Sequence, residues 1–313
     1  MSGPAGFRDP RILLPFILIT LIWSSTWIVI KDQLGADPAT AVPPPWSVAY
    51  RFVIATAAMF AVALAVRAKL NLGPRGQLFA AAIGIPQFCF NFNFVYAAEL
   101  YVTSGLVAVV FALLMVPNAL FAWAFFGQRT SARFLAGSAV ALAGVALLFA
   151  QEMRAAPVSA AATLAGIGLT LLAVLSASVG NVLQLAGEVR SRSIVAMLAW
   201  GMLYAAVANT AFAAIGWGAP VVEARPGYWL GLAYLGVIAT VIPFFFYIRI
   251  VRAIGPAKAA YSSVLIPILA MGISTVAEGY RWSTLAVAGG ILAIAGLVVA
   301  LSTGRIPAPA PPD

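Results

Sequence analysis

Two stretches, one closing each half of the chain, decide the fold: FLAGSAVALAGVALLFAQ at residues 134–151 and WSTLAVAGGILAIAGLVVALSTG at residues 282–304. Neither stretch contains a charged residue. A helix rises about 1.5 Å per residue, so about 20 apolar residues cross the hydrocarbon core of a bilayer. Each stretch therefore predicts one transmembrane helix.

Eight further runs of this kind lie between the other charges and turn residues, and one of them is interrupted only by Arg51. The composition agrees, because 63% of the residues are apolar and 9% are charged, whereas soluble domains have roughly 45–50% and 25%. The predicted fold class is therefore all-α integral membrane, with ten transmembrane helices. They are placed near residues 12–33, 45–67, 76–98, 102–126, 131–150, 162–187, 192–216, 227–250, 257–278 and 282–302.

The two opening stretches also match each other. Five small residues near the end of the first half are repeated, with the same identities, 152 positions later. They are Gly127, Gly137, Ala141, Ala143 and Gly144, which match Gly279, Gly289, Ala293, Ala295 and Gly296. This predicts two five-helix repeats, at 12–150 and 162–302. Because five is an odd number, the second copy must be inverted, which is a recurring design of secondary transporters.

The distribution of Lys and Arg predicts the orientation. With the N-terminus in the cytoplasm, thirteen of these residues lie on the cytoplasmic side and four, namely Lys31, Arg154, Arg225 and Arg281, lie outside. Both termini are then cytoplasmic, as residues 1–11 and the Pro-rich tail 303–313. An outer loop at 151–161 connects the repeats. This pattern predicts a multi-pass protein of a bacterial inner membrane.

Aromatic and hydroxyl side chains on the first helix are candidates for a substrate pathway. Trp23 and Trp27 lie on one stripe of that helix, with Ser24 beside it, and both tryptophans are too deep for an interfacial belt. The alternative is that the tryptophans pack against neighbouring helices or face lipid.

Amide side chains form a second candidate group. Gln87 and Asn91 share a face of the third helix, near Phe94, and Asn181 and Gln184 do the same on the sixth. Amides donate and accept hydrogen bonds, which suits a zwitterionic substrate. The alternative is interhelical hydrogen bonding that assembles the bundle.

Arg51 is the only ionisable residue well inside a predicted span, about 9 Å from Pro45 at about 1.5 Å per residue. It is a candidate anchor for a substrate carboxylate, and the alternative is that it snorkels to the outer interface. Pro117 and Pro267 lie near the middle of helices 4 and 9, where proline removes a backbone hydrogen bond and favours a kink. They are candidate gating residues, and Tyr261, one to two turns before Pro267, is a further candidate substrate contact.

Several functions are excluded because the sequence lacks the residues and motifs that they require. The chain has no histidine, one cysteine and no Gly-x-x-x-x-Gly-Lys-Ser/Thr motif, so we expect no nucleotide hydrolysis, metal site, cofactor or catalytic site. No Asp or Glu falls in the middle of a predicted span, so a carboxylate proton relay has no predicted carrier. The predicted partners are a small-molecule substrate and the lipid bilayer, without nucleic acid, and we expect a monomer to be functional.

The sequence Trp23-Ser24-Ser25-Thr26-Trp27-Ile28-Val29-Ile30-Lys31, followed by Pro45 and Arg51, resembles the opening signature of the drug/metabolite transporter superfamily, specifically its EamA-type exporters. The resemblance covers nearly the whole chain. It implies ten helices in two inverted repeats around a central cavity, and export of amino acids or related metabolites by alternating access. The abundant aromatic residues also resemble the aromatic amino acid exporter branch, YddG.

The chain departs from the resemblance at one point, since the family often has Gly-Glu after helices 4 and 9. Here Gln128 follows Gly127, and Glu278 precedes Gly279, so no role passes to that acid. The alternatives left open are a transporter of nucleotide-sugars or other drugs and metabolites, and a membrane scaffold that transports nothing. The first of these calls for several basic residues in mid-span.

Overall fold

The computed structural model describes residues 9–35, 41–128, 130–155, 159–243, 246, 250 and 262–301. Within these ranges every regular element is helical. Nine helices are long and apolar enough to cross a membrane: α1 (Pro10–Gln33), α2 (Pro44–Ala65), α3 (Gly73–Ala98), α4 (Ser104–Phe126), α5 (Ala132–Ala155), α6 (Ala160–Leu183), α7 (Ile194–Trp217), α8 (Pro226–Pro243) and α10 (Thr284–Leu301). A shorter apolar helix, α9, spans Ser262–Ala277.

The boundaries lie close to the predicted ones, with a few differences. Helix α6 ends at Leu183, four residues before the predicted end at 187. Helix α5 continues to Ala155, five residues beyond the predicted end at 150, because nothing between Gln151 and Ala155 breaks a helix. The ninth helix was predicted from residue 257, and the residues before Ser262 lie outside the described part of the chain.

Large apolar side chains cover the outside of the bundle. Ile215 is 88% exposed and Val276 is 89% exposed, and similar residues occur on most of the helices. Water would not solvate such a surface, because contiguous apolar patches of this extent mark contact with a membrane or a partner. Together with the apolar helices, this surface identifies an all-helical, multi-pass membrane protein.

Helix ends follow local capping chemistry. The Asp9 carboxylate accepts a hydrogen bond from Arg11 N at 2.9 Å, and Pro10 takes the first helical position, where no N–H is needed. Ser193 similarly caps α7 through Ala196 N at 3.4 Å. Helix α4 ends at Gly127, whose φ of 64° is accessible to glycine at little cost.

Small residues bring α5 and α10 into backbone contact. A Cβ on Gly144 would lie 2.3 Å from Ala293 N, and a Cβ on Gly296 would lie 2.3 Å from Ala141 N. These four residues belong to the small residues that match at the offset of 152, and small side chains let helices approach closely in lipid. The two helices are therefore held by van der Waals contact along their length.

The close contact between α5 and α10 leads to a prediction about stability. We expect Gly144→Leu to lower the free energy of unfolding by about 3 kcal/mol, the upper range for overpacking, because the new side chain meets backbone that cannot move aside. The matched control is Gly168→Leu on α6, where an added Cβ meets no atom within 4 Å. Thermal unfolding in detergent measures both variants, and equal melting temperatures would contradict the prediction.

Helices from the first half of the chain pack mainly against helices from the second half. Helix α2 packs against α7, α4 against α9, and α5 against α10. Helix α1 contacts α8 and α9, whereas α6 contacts α3 and α4. The main hydrophobic cluster lies between the two halves, and its fully buried members include Phe52, Met59, Tyr96, Leu106 and Met202.

Three spans depart from regular α-helix. Helix α4 is interrupted at Leu113 and Leu114, whose N–H groups bond three residues back, to Val110 O and Phe111 O. Pro117 causes this interruption, because its ring lacks an N–H and opposes the carbonyl of Leu113. Helices α3 and α8 contain π-helical segments at Ile85–Phe90 and Tyr234–Ile238, and such segments occur frequently at functional sites.

Candidate functional site

Polar side chains concentrate where α1, α3 and α9 end and where α2, α4 and α8 begin. Hydrogen bonds join these termini: Tyr96 on α3 donates to Gln33 on α1, and Ser47 on α2 pairs with Tyr228 on α8 at 2.7 Å. Ser104 at the start of α4 bonds the carboxylate of Glu278, which follows α9. We call this region the acidic end of the bundle, because Glu99, Glu152 and Glu278 all lie there.

Arg51 lies just inside the acidic end, in the second turn of α2. Its side chain is buried, with the residue only 4% exposed, so it does not snorkel to the surface. The guanidinium carbon lies 4.2 Å from the centroid of the Phe92 ring and 5.6 Å from that of Phe52. Its Nε and Nη1 groups have no hydrogen-bond partner. Two strong donors are thus held in an apolar setting without an acceptor.

Aromatic rings are abundant in the main hydrophobic cluster, which includes Phe52 and Phe92. The rings of Trp27 and Phe111 lie 5.0 Å apart, and those of Phe52 and Phe92 lie 5.1 Å apart. Trp27 and the predicted Phe94 are both partly buried against the main hydrophobic cluster. The indole N–H of Trp27 is buried without a partner. These side chains belong to one hydrophobic cluster, in which Phe52 and Phe92 contact Arg51 and Trp27 adds a free donor.

The structure separates the other two predicted residues of the first helix from Trp27. Trp23 packs against a different cluster, formed by Phe16, Ile19 and Ile250. The Ser24 hydroxyl donates to Thr20 O at 2.7 Å, within its own helix. The neighbouring Ser25 instead makes the contact between helices, a hydroxyl–hydroxyl hydrogen bond of 2.7 Å to Tyr234 in the π-helical segment of α8.

The predicted amides lie mainly at the junction of α3 with α6 and α7. Gln87 Nε2 donates to Asn181 Oδ1 at 3.0 Å, so these two residues meet as a pair. Asn91 Nδ2 donates to Gln87 O at 3.1 Å, within its own helix. Gln184 lies in a recess beside Arg192, at the opposite end of the bundle from Glu99.

Asn209 was missed by the sequence reasoning, although it belongs to the same network. It accepts from Asn93 Nδ2 at 2.7 Å and donates to Phe88 O at 3.2 Å, and it is fully buried. The pairs Gln87–Asn181 and Asn93–Asn209 therefore bond across helices, which corresponds to the assembly alternative. The sequence does show one asparagine within an apolar run. Such a residue predicts a hydrogen bond to another helix, because a buried amide in lipid needs a partner.

The two candidate gating prolines differ in their local structure. Pro117 follows the interruption in α4, whereas Pro267 lies inside the continuous helix α9. Pro267 also lines an apolar groove of about 350 Å³, together with Met271, Trp282 and Leu297. Tyr261, the predicted substrate contact next to α9, lies outside the described residues.

Glu99 and its neighbours were not predicted as site residues, because the sequence places them in loops. Glu99 directly follows α3 and is 0% exposed. Lys31 Nζ donates to its main-chain oxygen, but neither carboxylate oxygen of Glu99 has a hydrogen-bond partner. Burial raises the pKa of the Glu99 carboxyl well above its usual range, although the nearby Lys31 opposes this shift. No feature of the sequence distinguishes this loop acid from an exposed one.

The carboxylate of Glu278 has hydrogen-bond partners, unlike that of Glu99, although both residues lie at the acidic end. Its carboxylate accepts from Ser104 N at 3.2 Å and from the hydroxyls of Ser104 and Ser274. A carboxylate at a helix N-terminus satisfies donors that would otherwise lack partners. Glu278 therefore caps α4 and ties it to α9. Among the described residues, no group of three His, Cys, Asp or Glu side chains could hold a metal ion.

Comparisons with known proteins find relatives along nearly the whole chain. Protein PagO of Salmonella typhimurium strain LT2 is 25% identical over 96% of this chain and 96% of its own length. A probable amino-acid metabolite efflux pump of the same organism is 24% identical over 90% of this chain and 92% of its own. A solved crystal structure has the same fold, with a TM-score of 0.62 and 22% identity over 92% of this chain and 95% of that chain. The sequence profile of the EamA-like transporter family matches residues 11–150 and 164–302, and the chain therefore belongs to that family of transporters.

Proposed function

We propose that this protein exports amino acids with uncharged side chains, including aromatic and hydrophobic ones, and related small metabolites. It does so as a secondary transporter that works by alternating access across a bacterial inner membrane. The transported side chain contacts aromatic walls, and the α-carboxylate binds Arg51. The monomer is the functional unit.

The observation that carries this proposal is the state of Arg51. A buried guanidinium with two unpartnered donors is costly in a membrane unless an anion reaches it during function. An α-carboxylate matches the planar fork of the guanidinium, since carboxylates bind arginine through two parallel hydrogen bonds. Arg51 is the only buried arginine in the described part of the chain, so the site suits a single carboxylate better than a nucleotide-sugar.

The side-chain part of the site follows from aromatic residues of the main hydrophobic cluster, of which Phe92 contacts Arg51. Trp27, Phe92, Phe94 and Phe111 offer ring faces, and Trp27 adds one N–H donor. Such a lining tolerates large apolar groups and gives little compensation for a second charge. We assign the pair Gln87–Asn181 to helix assembly.

The transport cycle requires two equivalent packings, and we propose ten spans in two inverted five-helix repeats, 12–150 and 162–302. Support comes from the two segments matched by the family profile. It also comes from packing that is reciprocal between the halves, when each helix is matched with the one five places later. The contact of α2 with α8 then corresponds to the contact of α7 with α3, and the contact of α1 with α9 corresponds to that of α6 with α4. We place both termini in the cytoplasm, so that the acidic end faces outward. The name of the efflux-pump relative agrees with this direction of transport.

Purified protein in liposomes tests the proposal directly. We expect flux of phenylalanine, methionine and threonine down their gradients, with at least about tenfold slower flux of aspartate and lysine. Tenfold corresponds to about 1.4 kcal/mol of discrimination, which an uncompensated charge readily supplies. Equal rates for aspartate, lysine and phenylalanine would show that the proposed lining is wrong.

A further inference from the structure

We propose that Glu99 binds the α-ammonium group of the substrate whose carboxylate binds Arg51. The preferred substrates are then zwitterionic α-amino acids with a free amino group. The assignment rests on the proposed function and narrows it, because the related metabolites included there need not carry an amino group. It also gives a role to a buried carboxyl group that the proposed site does not use.

Glu99 and Arg51 each lack the kind of partner that an α-amino acid carries. Both carboxylate oxygens of Glu99 are buried without a hydrogen-bond donor, and Nε and Nη1 of Arg51 are buried without an acceptor. Buried polar groups in this condition lose their hydration without compensation. The ammonium group of an α-amino acid supplies donors, and its carboxylate supplies acceptors. One ligand therefore satisfies both residues.

The two residues influence each other without forming an ion pair. Each favours the charged form of the other, but no described ion pair joins them. Tyr96 on α3 is hydrogen-bonded to Arg51 and also interacts with Glu99. Since only one carbon atom separates the ammonium group of an α-amino acid from its carboxylate, two opposite charges that are near each other but unpaired suit this ligand.

The other charged groups at the acidic end leave the carboxylate of Glu99 available. Lys31 on α1 faces Glu99, but its Nζ donates to the main-chain oxygen of Glu99 and forms no described ion pair with the carboxylate. The other two acids already have donors. Glu278 accepts from one main-chain N–H and two hydroxyls, and Glu152 accepts from the main chain of Thr103.

An ammonium group also suits the protonation of Glu99. Burial raises the pKa of its carboxyl group well above the usual range, so the empty site holds a neutral acid. The ammonium group brings donors and a positive charge, and both stabilise the carboxylate. The carboxyl proton then passes to the water that delivers the substrate. Binding thus exchanges one donor, the carboxyl proton, for another.

Binding to the purified protein in detergent tests the assignment apart from transport. The two probes are phenylalanine and 3-phenylpropionate, which has the same ring and carboxylate but no amino group. The wild type should bind phenylalanine at least about tenfold more tightly, because its ammonium group forms a charge-assisted hydrogen bond. Glu99→Gln should weaken phenylalanine binding at least about tenfold and leave 3-phenylpropionate binding nearly unchanged.

The ratio of the two affinities within each variant separates recognition from folding, because a structural defect weakens both probes alike. Glu99→Asp keeps the carboxylate and should retain part of the preference for phenylalanine. The matched control is Glu223→Gln, whose carboxylate pairs with the exposed Arg225, and it should retain the whole preference. Equal weakening of both probes in Glu99→Gln, or unchanged phenylalanine binding, would overturn the assignment.

The wild-type protein alone distinguishes failure of the ammonium site from failure of the proposed function. Equal binding of the two probes would overturn the ammonium site, and this comparison still decides if Glu99→Gln does not fold. The carboxylate anchor would stand in that case if Arg51→Gln weakened both probes. Binding of neither probe to the wild type would overturn the proposed amino acid export together with the ammonium site.

Discussion

Replacing Arg51 by glutamine is expected to reduce phenylalanine flux about 100-fold while the protein remains folded. Two charge-assisted hydrogen bonds of about 1.5 kcal/mol each amount to about 3 kcal/mol, which corresponds to about a 100-fold change in affinity. Folding should tolerate the change, because two of the guanidinium donors have no partner in the protein. The contact with the Phe92 ring is lost, but so is the cost of burying a cation.

The measurement is initial flux in liposomes as a function of phenylalanine concentration, together with thermal unfolding of the purified variant. The loss should appear mainly as a higher half-saturating concentration, because glutamine cannot replace the forked, charged donor. Arg225→Gln is the matched control, since that arginine lies at the same end but is exposed and pairs with Glu223. Wild-type flux from a folded Arg51→Gln protein would remove the carboxylate anchor from the proposed mechanism.

Replacing Pro117 by alanine is expected to slow maximal turnover at least about tenfold, with little change in apparent affinity. Alanine restores a backbone donor opposite Leu113 O, so the interruption at Leu113–Leu114 can close into one continuous α4. A helix that is interrupted in mid-membrane allows one half to move against the other, and a continuous one resists that movement. Tenfold requires only about 1.4 kcal/mol of added barrier.

Pro267 supplies the comparison, because α9 already continues through it. Pro267→Ala alone should change turnover less than threefold, and the double variant should behave like Pro117→Ala. Turnover should be read from flux at saturating phenylalanine, and affinity from the half-saturating concentration. A stable Pro117→Ala protein with unchanged turnover would show that the interruption shapes the cavity without acting as a hinge.

The sequence was sufficient to locate the membrane spans and several local features. The hydrocarbon core of the bilayer imposes the same requirements on each span individually. Every span must be apolar for about 20 residues and must satisfy its own backbone hydrogen bonds. The long uncharged runs could therefore be read one at a time. The same holds for the kink at Pro117, which depends on one missing N–H, and for the close approach of Gly144 and Gly296, which depends on missing side chains.

Which side chains face one another was decided by the tertiary structure alone. In a span that is apolar on all sides, little periodicity distinguishes the face toward the protein from the face toward lipid, so Trp23 and Trp27 looked equivalent although they join different clusters. Gln87 and Asn181 were predicted on two separate helices, and only packing showed that they bond to each other. Glu99 looked like an ordinary loop acid, and it is buried where α3 ends beside α1 and α2. Burial of that kind depends on how whole helices are rotated and stacked, which single-segment composition does not encode.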